Sequence, residues 1–233
     1  MALHLTHLQF TASSLGLAVS LGLAGCAAGT ALVTFAADAL GRRATLVTLA
    51  VLMALGGAAL AWATRPALIM AGALLGMVNG MGRDRGAGLT VEQTILPQTV
   101  TPDSRTTAFA WYNLVVDAGH AVGSLLGGLP TLLRAHPGLT VPESYRWTWG
   151  VYSVLCLAAG VAALCLSPAV ERRTSRRLRR LSPASRTVVA KFAALSGLDS
   201  LGGGFLTTAM VSYWFFKRFG VNEAVLAPLF FAV

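Results

Sequence analysis

The chain has 233 residues, of which 55% are hydrophobic and 12% charged, with a mean hydropathy of +0.66. Soluble domains carry about 25% charged residues, so a water-soluble globular domain is excluded and a lipid bilayer is the expected surrounding. The formal net charge of +9 does not point to nucleic acid: six of the eighteen basic residues crowd into 172–180, between two apolar segments, as in a loop beside a membrane.

Residues 1–12 are too short to span a bilayer and contain no Lys or Arg, only His4 and His7. Leu23-Ala24-Gly25-Cys26 has the form of a lipoprotein cleavage box. A signal peptide needs a basic start, so the tetrapeptide reads as part of a helix. Crossing a hydrocarbon core of about 30 Å takes about 20 apolar residues. Apolar segments fall at 13–36, 44–62, 66–82 running on to 98, 106–133, 146–168 and 188–216, and a last one begins near 222. Turn residues or charges separate them at 38–43, 64–66, 101–104 and 136–138. The expected fold is therefore an all-α, polytopic helical bundle of six spans and a stub. Cys26, Cys156 and Cys165 lie inside apolar segments at spacings that suit neither a metal site nor a disulfide framework. No metal and no cofactor is expected, and no soluble-enzyme motif is visible.

Orientation follows from Lys and Arg. One set of alternate loops and helix ends holds thirteen basic residues, including Arg42, Arg43, Arg105 and the 172–180 cluster. The other holds five: Arg65, Arg134, Arg146, Lys217 and Arg218. The positive-inside bias places loops 38–43, 99–105 and 169–187 in the cytoplasm.

The spans divide into two classes. The second (44–62) and the fifth (147–167) have no charge and are expected at the periphery, facing lipid. The third, fourth and sixth carry ionisable residues, which at membrane depth face a bundle interior or a wet cavity. In the third, Arg83-Asp84-Arg85 follows Asn79-Gly80-Met81-Gly82, and Glu92 lies two turns further on. If 66–98 is one helix, these groups line a cavity. If the span ends at Gly82, they form a charge cluster at its end. In the fourth, Asn113, Asp117, His120 and Ser124 are spaced 4, 3 and 4, one stripe at helical period. Asp117 lies eleven to twelve residues from the basic end at Arg105, near mid-membrane at about 1.5 Å per residue. An Asp and a His one turn apart are suited to taking up and releasing a proton, or to holding helices together. In the sixth, Asp199 precedes Gly202-Gly203-Gly204, a run that weakens a helix and permits bending. It is a second coupling or substrate candidate, or an Asp satisfied by local backbone.

Two motifs carry a resemblance to the major facilitator superfamily. Thr34-Phe35-Ala36-Ala37-Asp38-Ala39-Leu40-Gly41-Arg42-Arg43 resembles that family's signature loop between its second and third helices. Asp38, Gly41, Arg42 and Arg43 match, and Thr34 replaces a Gly. Gly119-x3-Gly123-Ser124-x2-Gly127-Gly128 resembles the antiporter motif of drug-export members, with Ser124 in place of a Pro. Small residues four apart also let helix backbones approach closely, so the stripe reads either as a mark of export or as a packing face.

The resemblance implies helices equivalent to the second through seventh of the family and the start of the eighth. It further implies an N-terminal bundle at 1–168 lacking its first helix, a basic cytoplasmic linker at 169–187 and the start of a second bundle at 188–233. The chain is then expected to be a fragment of a secondary active transporter in the cell membrane. It would move a small molecule by alternating access, coupled to protons, with export favoured. The alternative is a non-transporting scaffold, or a membrane-embedded enzyme using Asp117 and His120.

Overall fold

The computed structural model describes residues 1–80, 86–135, 139–171, 182–204 and 206–232, and every regular element among them is helical. The 172–180 cluster, the turn at 136–138 and Arg83, Asp84 and Arg85 lie outside the described residues.

Among the described residues, three helices are long and apolar enough to cross a membrane: α2 (Ala12–Leu40), α3 (Arg42–Trp62) and α8 (Val141–Leu164), with mean hydropathies of 1.8, 2.1 and 1.6. Their ends are set locally. Thr11 accepts the amide N–H of Ser14 at 3.2 Å to open α2. Thr140 and Glu143 form a reciprocal capping box at the start of α8, where Pro142 occupies the first turn and needs no amide partner. A short helix, α1 (Ala2–His7), precedes α2.

The third, fourth and sixth spans are each made of two helices. The third is α4 (Pro66–Leu75) followed by α5 (Gly86–Thr99), so 66–98 is not one continuous helix. Met77 at φ 54° and Gly86 at φ 55° adopt left-handed backbone on either side of the interruption. The fourth is α6 (Arg105–Leu126) and α7 (Leu129–Arg134), parted at Gly127-Gly128 ahead of Pro130. The sixth is α9 (Pro183–Gly204) and α10 (Thr208–Phe219). Gly202, Gly203 and Gly204 stay helical and close α9. Helix α10 ends at Gly220, φ 68°, and α11 (Glu223–Phe231) follows.

Small residues let the helices meet. A Cβ added at Gly25 of α2 would lie 1.9 Å from the carbonyl oxygen of Leu74, and one at Gly22 2.2 Å from that of Val78. Gly56 of α3 faces the Cα of Gly76 in the same way, at 2.6 Å. Ser153 of α8 donates to the carbonyl of Ala54 at 3.0 Å. Helix α3 packs on α2, α4, α5 and α8, with nine buried residues. The 44–62 helix thus packs on several neighbours while Val51, Leu55 and Trp62 stay exposed. Helix α8 keeps an exposed apolar face at Val154, Leu157 and Val161.

Two apolar cores mark the ends of the bundle. One joins Val33, Leu49, Ala87 and Val91, near Gly41. The other joins Leu5, Leu15, Leu60, Ile69, Tyr145, Ala209 and Leu226, near the 140 turn. Successive spans therefore run in alternating directions between a loop-41 end and a loop-140 end. Every described side chain of α9 is exposed, whereas α10 and α11 contribute to the second core.

Candidate functional site

At the loop-41 end the four motif residues come together. Gly41 has φ 95°, a conformation that favours glycine, and its amide N–H closes α2 on the carbonyl of Ala37. Arg42 is buried. Its Nε donates to Asp38 Oδ1 at 3.2 Å, and its Nη1 to Gln98 Oε1 at 2.8 Å and to the Val170 carbonyl at 3.5 Å. The amide N–H groups of Arg42 and Arg43 donate to the two carboxylate oxygens of Glu171, at 3.0 and 2.8 Å. The Arg43 guanidinium donates to the carbonyls of Leu164, at 2.9 Å, and Leu166. A carboxylate over the amide groups that open a helix satisfies donors without helical partners and complements the helix dipole. The clasp therefore ties the α2–α3 turn to the end of α5 and to the segment leading out of α8. Neither Glu171 nor Gln98 is picked out by sequence pattern; the only signal for Glu171 is an acidic residue directly before a run of arginines.

The stripe on α6 is present: Asn113 and Asp117 are exposed, and His120 and Ser124 are half-buried. Ser124 donates to the His120 carbonyl at 2.9 Å. Among the described residues, Asp117 and His120 are not hydrogen-bonded to each other. Glu92 of α5 accepts a short hydrogen bond from the Tyr112 hydroxyl of α6. Both line a groove of about 370 Å³ with Leu46, Leu166 and Val170, beneath the clasp. Asp199 is exposed on α9, away from this stripe in the described contacts. The five path candidates among the described residues, Glu92, Asn113, Asp117, His120 and Asp199, lie on α5, α6 and α9.

The glycine stripe is only partly packed among the described residues. Gly119 and Gly123 have no atom within 4 Å of an added Cβ, and Gly127 meets only the Ser124 backbone. Only Gly128 packs, with an added Cβ 3.1 Å from that of Ala227. Helix α11 approaches the end of α6, and no other described residue covers the face bearing Gly119 and Gly123.

At the loop-140 end a second polar cluster surrounds Glu223, which is buried. Arg134 Nη2 lies 2.6 Å from Glu223 Oε2, and Thr131 Oγ1 donates to the same oxygen at 3.1 Å. The Tyr145 hydroxyl donates to Glu223 Oε1 in a short bond. Arg134 Nη1 donates to Ser144 at 3.2 Å. Alongside, buried His4 accepts from Trp149 Nε1 at 2.8 Å and stacks on Tyr145 at 4.8 Å between ring centres. Burial pushes the His4 pKa from 6.5 down to about 3.

Membrane-length helices and a turn held by a clasp of charged groups are the features of a polytopic helical membrane protein. The chain belongs to the major facilitator superfamily, whose family model matches residues 1–233. It is also similar to a Saccharomyces cerevisiae protein described as an uncharacterized membrane protein, 24% identical over 264 residues. That match covers 99% of this chain and 59% of the relative, so the chain spans about three-fifths of the relative's length. No solved structure matches the chain significantly.

Proposed function

We propose that the chain is the first-half portion of a secondary active transporter that carries a small molecule by alternating access, driven by protons. The observation that carries this reading is the α6 stripe: Asp117 is ionisable, central in the 22-residue helix of the fourth span, and exposed among the described residues. An ionisable residue at that depth marks a transport path by default. In the intact carrier Asp117 and His120 exchange the coupling proton, and Asn113, Glu92 and Asp199 bear on the substrate path. The open face at Gly119 and Gly123 supports contact with a further helix and, through the antiporter-like motif, export.

The same reading places the bundle in the cell membrane with loops 38–43, 99–105 and 169–187 in the cytoplasm. The clasp supports it, because Arg42, Gln98 and Glu171 bring those three segments to one end. It also supports a first bundle at 1–168, a linker at 169–187 and a second unit from 188, since α9 leaves the first bundle's surface.

The test is flux into proteoliposomes holding the complete gene product under an imposed pH gradient. Gradient-driven transport should disappear in Asp117→Asn while exchange of bound substrate persists, and His120→Gln should shift the pH dependence. Normal pumping by both variants would move coupling away from this pair. A complete gene product that moves no substrate with any gradient would favour a scaffold or membrane-embedded enzyme.

A further inference from the structure

Among the described residues, the segments before and after the basic linker meet at the loop-140 end. At the loop-140 end, the Ala209 amide donates to the Gly80 carbonyl at 3.0 Å, and Phe216 meets His7 edge-on at 5.9 Å. At the loop-41 end, no described side chain of α9 is buried. The strongest tie at the closed end is Glu223. It is 7% exposed, sits on the last helix and is held wholly by groups from α7 and α8.

We propose that Glu223, with Arg134, Tyr145 and Thr131, is the latch that closes the loop-140 end. The inference rests on the alternating-access reading above. Opening this end moves α11 off α7 and α8, which strips Glu223 of its donors and leaves Arg134 with the neutral hydroxyls of Thr131 and Ser144 in place of a carboxylate. Breaking one side of a buried ion pair is far costlier than never having built it. The cluster therefore weights the population toward the form that is closed at loop 140 and open at loop 41. A shift in that weight changes how often each form is visited, without any contact to substrate. Arg134 also lies over the Tyr145 ring, 5.7 Å from its centre, so the donors are held in register with one another. These are positioning residues, acting through the closure they hold.

The experiment reads closure directly. In the complete gene product, with Cys165→Ser to remove the exposed thiol, Ser124→Cys reports on the polar stripe one turn from Gly128. A membrane-impermeant maleimide is added on the side that loop 140 faces. Labelling of the parent should be slow. Glu223→Gln keeps the shape and removes the charge, and should speed labelling about tenfold or more. Arg134→Glu alone should do the same, and Arg134→Glu with Glu223→Arg should return the rate to within about threefold of the parent. Tyr145→Phe keeps the ring and deletes one donor, and should give a smaller rise in the folded protein. Unchanged labelling in Glu223→Gln or in Tyr145→Phe overturns the latch, as does a double reversal as fast as the single one. Labelling needs no substrate, so a carrier that fails to transport would sink the functional reading while leaving the latch to be judged on these rates.

Discussion

Glu171 holds the opening of α3 with one carboxylate shared between two amide groups, 3.0 and 2.8 Å away. Capping groups and carboxylates at helix starts stabilise by about 0.5–2 kcal/mol. Glu171→Ala should lower the melting temperature in detergent by a few degrees, and Glu171→Gln, which keeps one acceptor, by less. An unchanged melt would show that water replaces the carboxylate at no cost. His4 supplies a pH dependence with a definite sign. Its folded pKa of about 3 lies below the unfolded value of 6.5, so the unfolded chain binds more protons between these values. Its contribution is fully present above about pH 6.5 and is lost as pH falls toward 3. Stability measured from pH 7 to 4 should fall, and His4→Phe should flatten part of that slope. A slope that is the same in the variant would assign the acid sensitivity to other groups.

Among the elements, the glycines of α2 and α6 look alike in sequence and differ in three dimensions. Gly25→Ala would drive a methyl to 1.9 Å from the Leu74 carbonyl oxygen, whereas Gly119→Ala meets open space. In this chain Gly25→Ala should reduce the folded yield sharply. Gly119→Ala should be neutral or stabilising by about 0.5–1 kcal/mol, because alanine is the better helix former. Equal loss in both would mean that α6 has a neighbour on that face. Span positions were legible because hydropathy and turn residues such as Gly41 and Pro102 mark where a chain leaves lipid. The interruption after α4 was not, because its backbone groups find partners far along the chain: Gly80 bonds Ala209. Lack of charge in 44–62 is compatible with lipid and with other helices, and the helix has a face for each: Gly56 and Gly57 meet Gly76 and Tyr152, while Val51 and Leu55 stay exposed. The signature turn was legible in Asp38, Gly41, Arg42 and Arg43, but their partners Gln98 and Glu171 lie 56 and 129 residues from Arg42. Periodicity carries no information at such separations. Glu223 was hidden for the same reason, since its donors come from 131–145.

For the whole molecule, alternation of the two ends makes sidedness an all-or-none property. The core around Val33, Leu49 and Ala87 belongs to one end, and the core around Leu15, Leu60, Ile69 and Tyr145 to the other. Each apolar span thus passes from one end to the other. Loop 99–105 must share a side with the 38–43 turn, and loops 62–66 and 139–140 must share the opposite one. The basic residues then choose which side is which, because moving arginines across a bilayer during insertion is disfavoured. With thirteen against five, the loop-41 end should face the cytoplasm. Single cysteines at Thr101 and at Thr64, placed in a background with Cys165→Ser, test both statements at once. An impermeant thiol reagent added to intact cells should label Thr64→Cys and leave Thr101→Cys untouched until the membrane is opened. The reverse pattern would invert the orientation and preserve the fold. Labelling of both positions from outside would break the alternation itself, and with it the assignment of α4 and α5 to a single crossing.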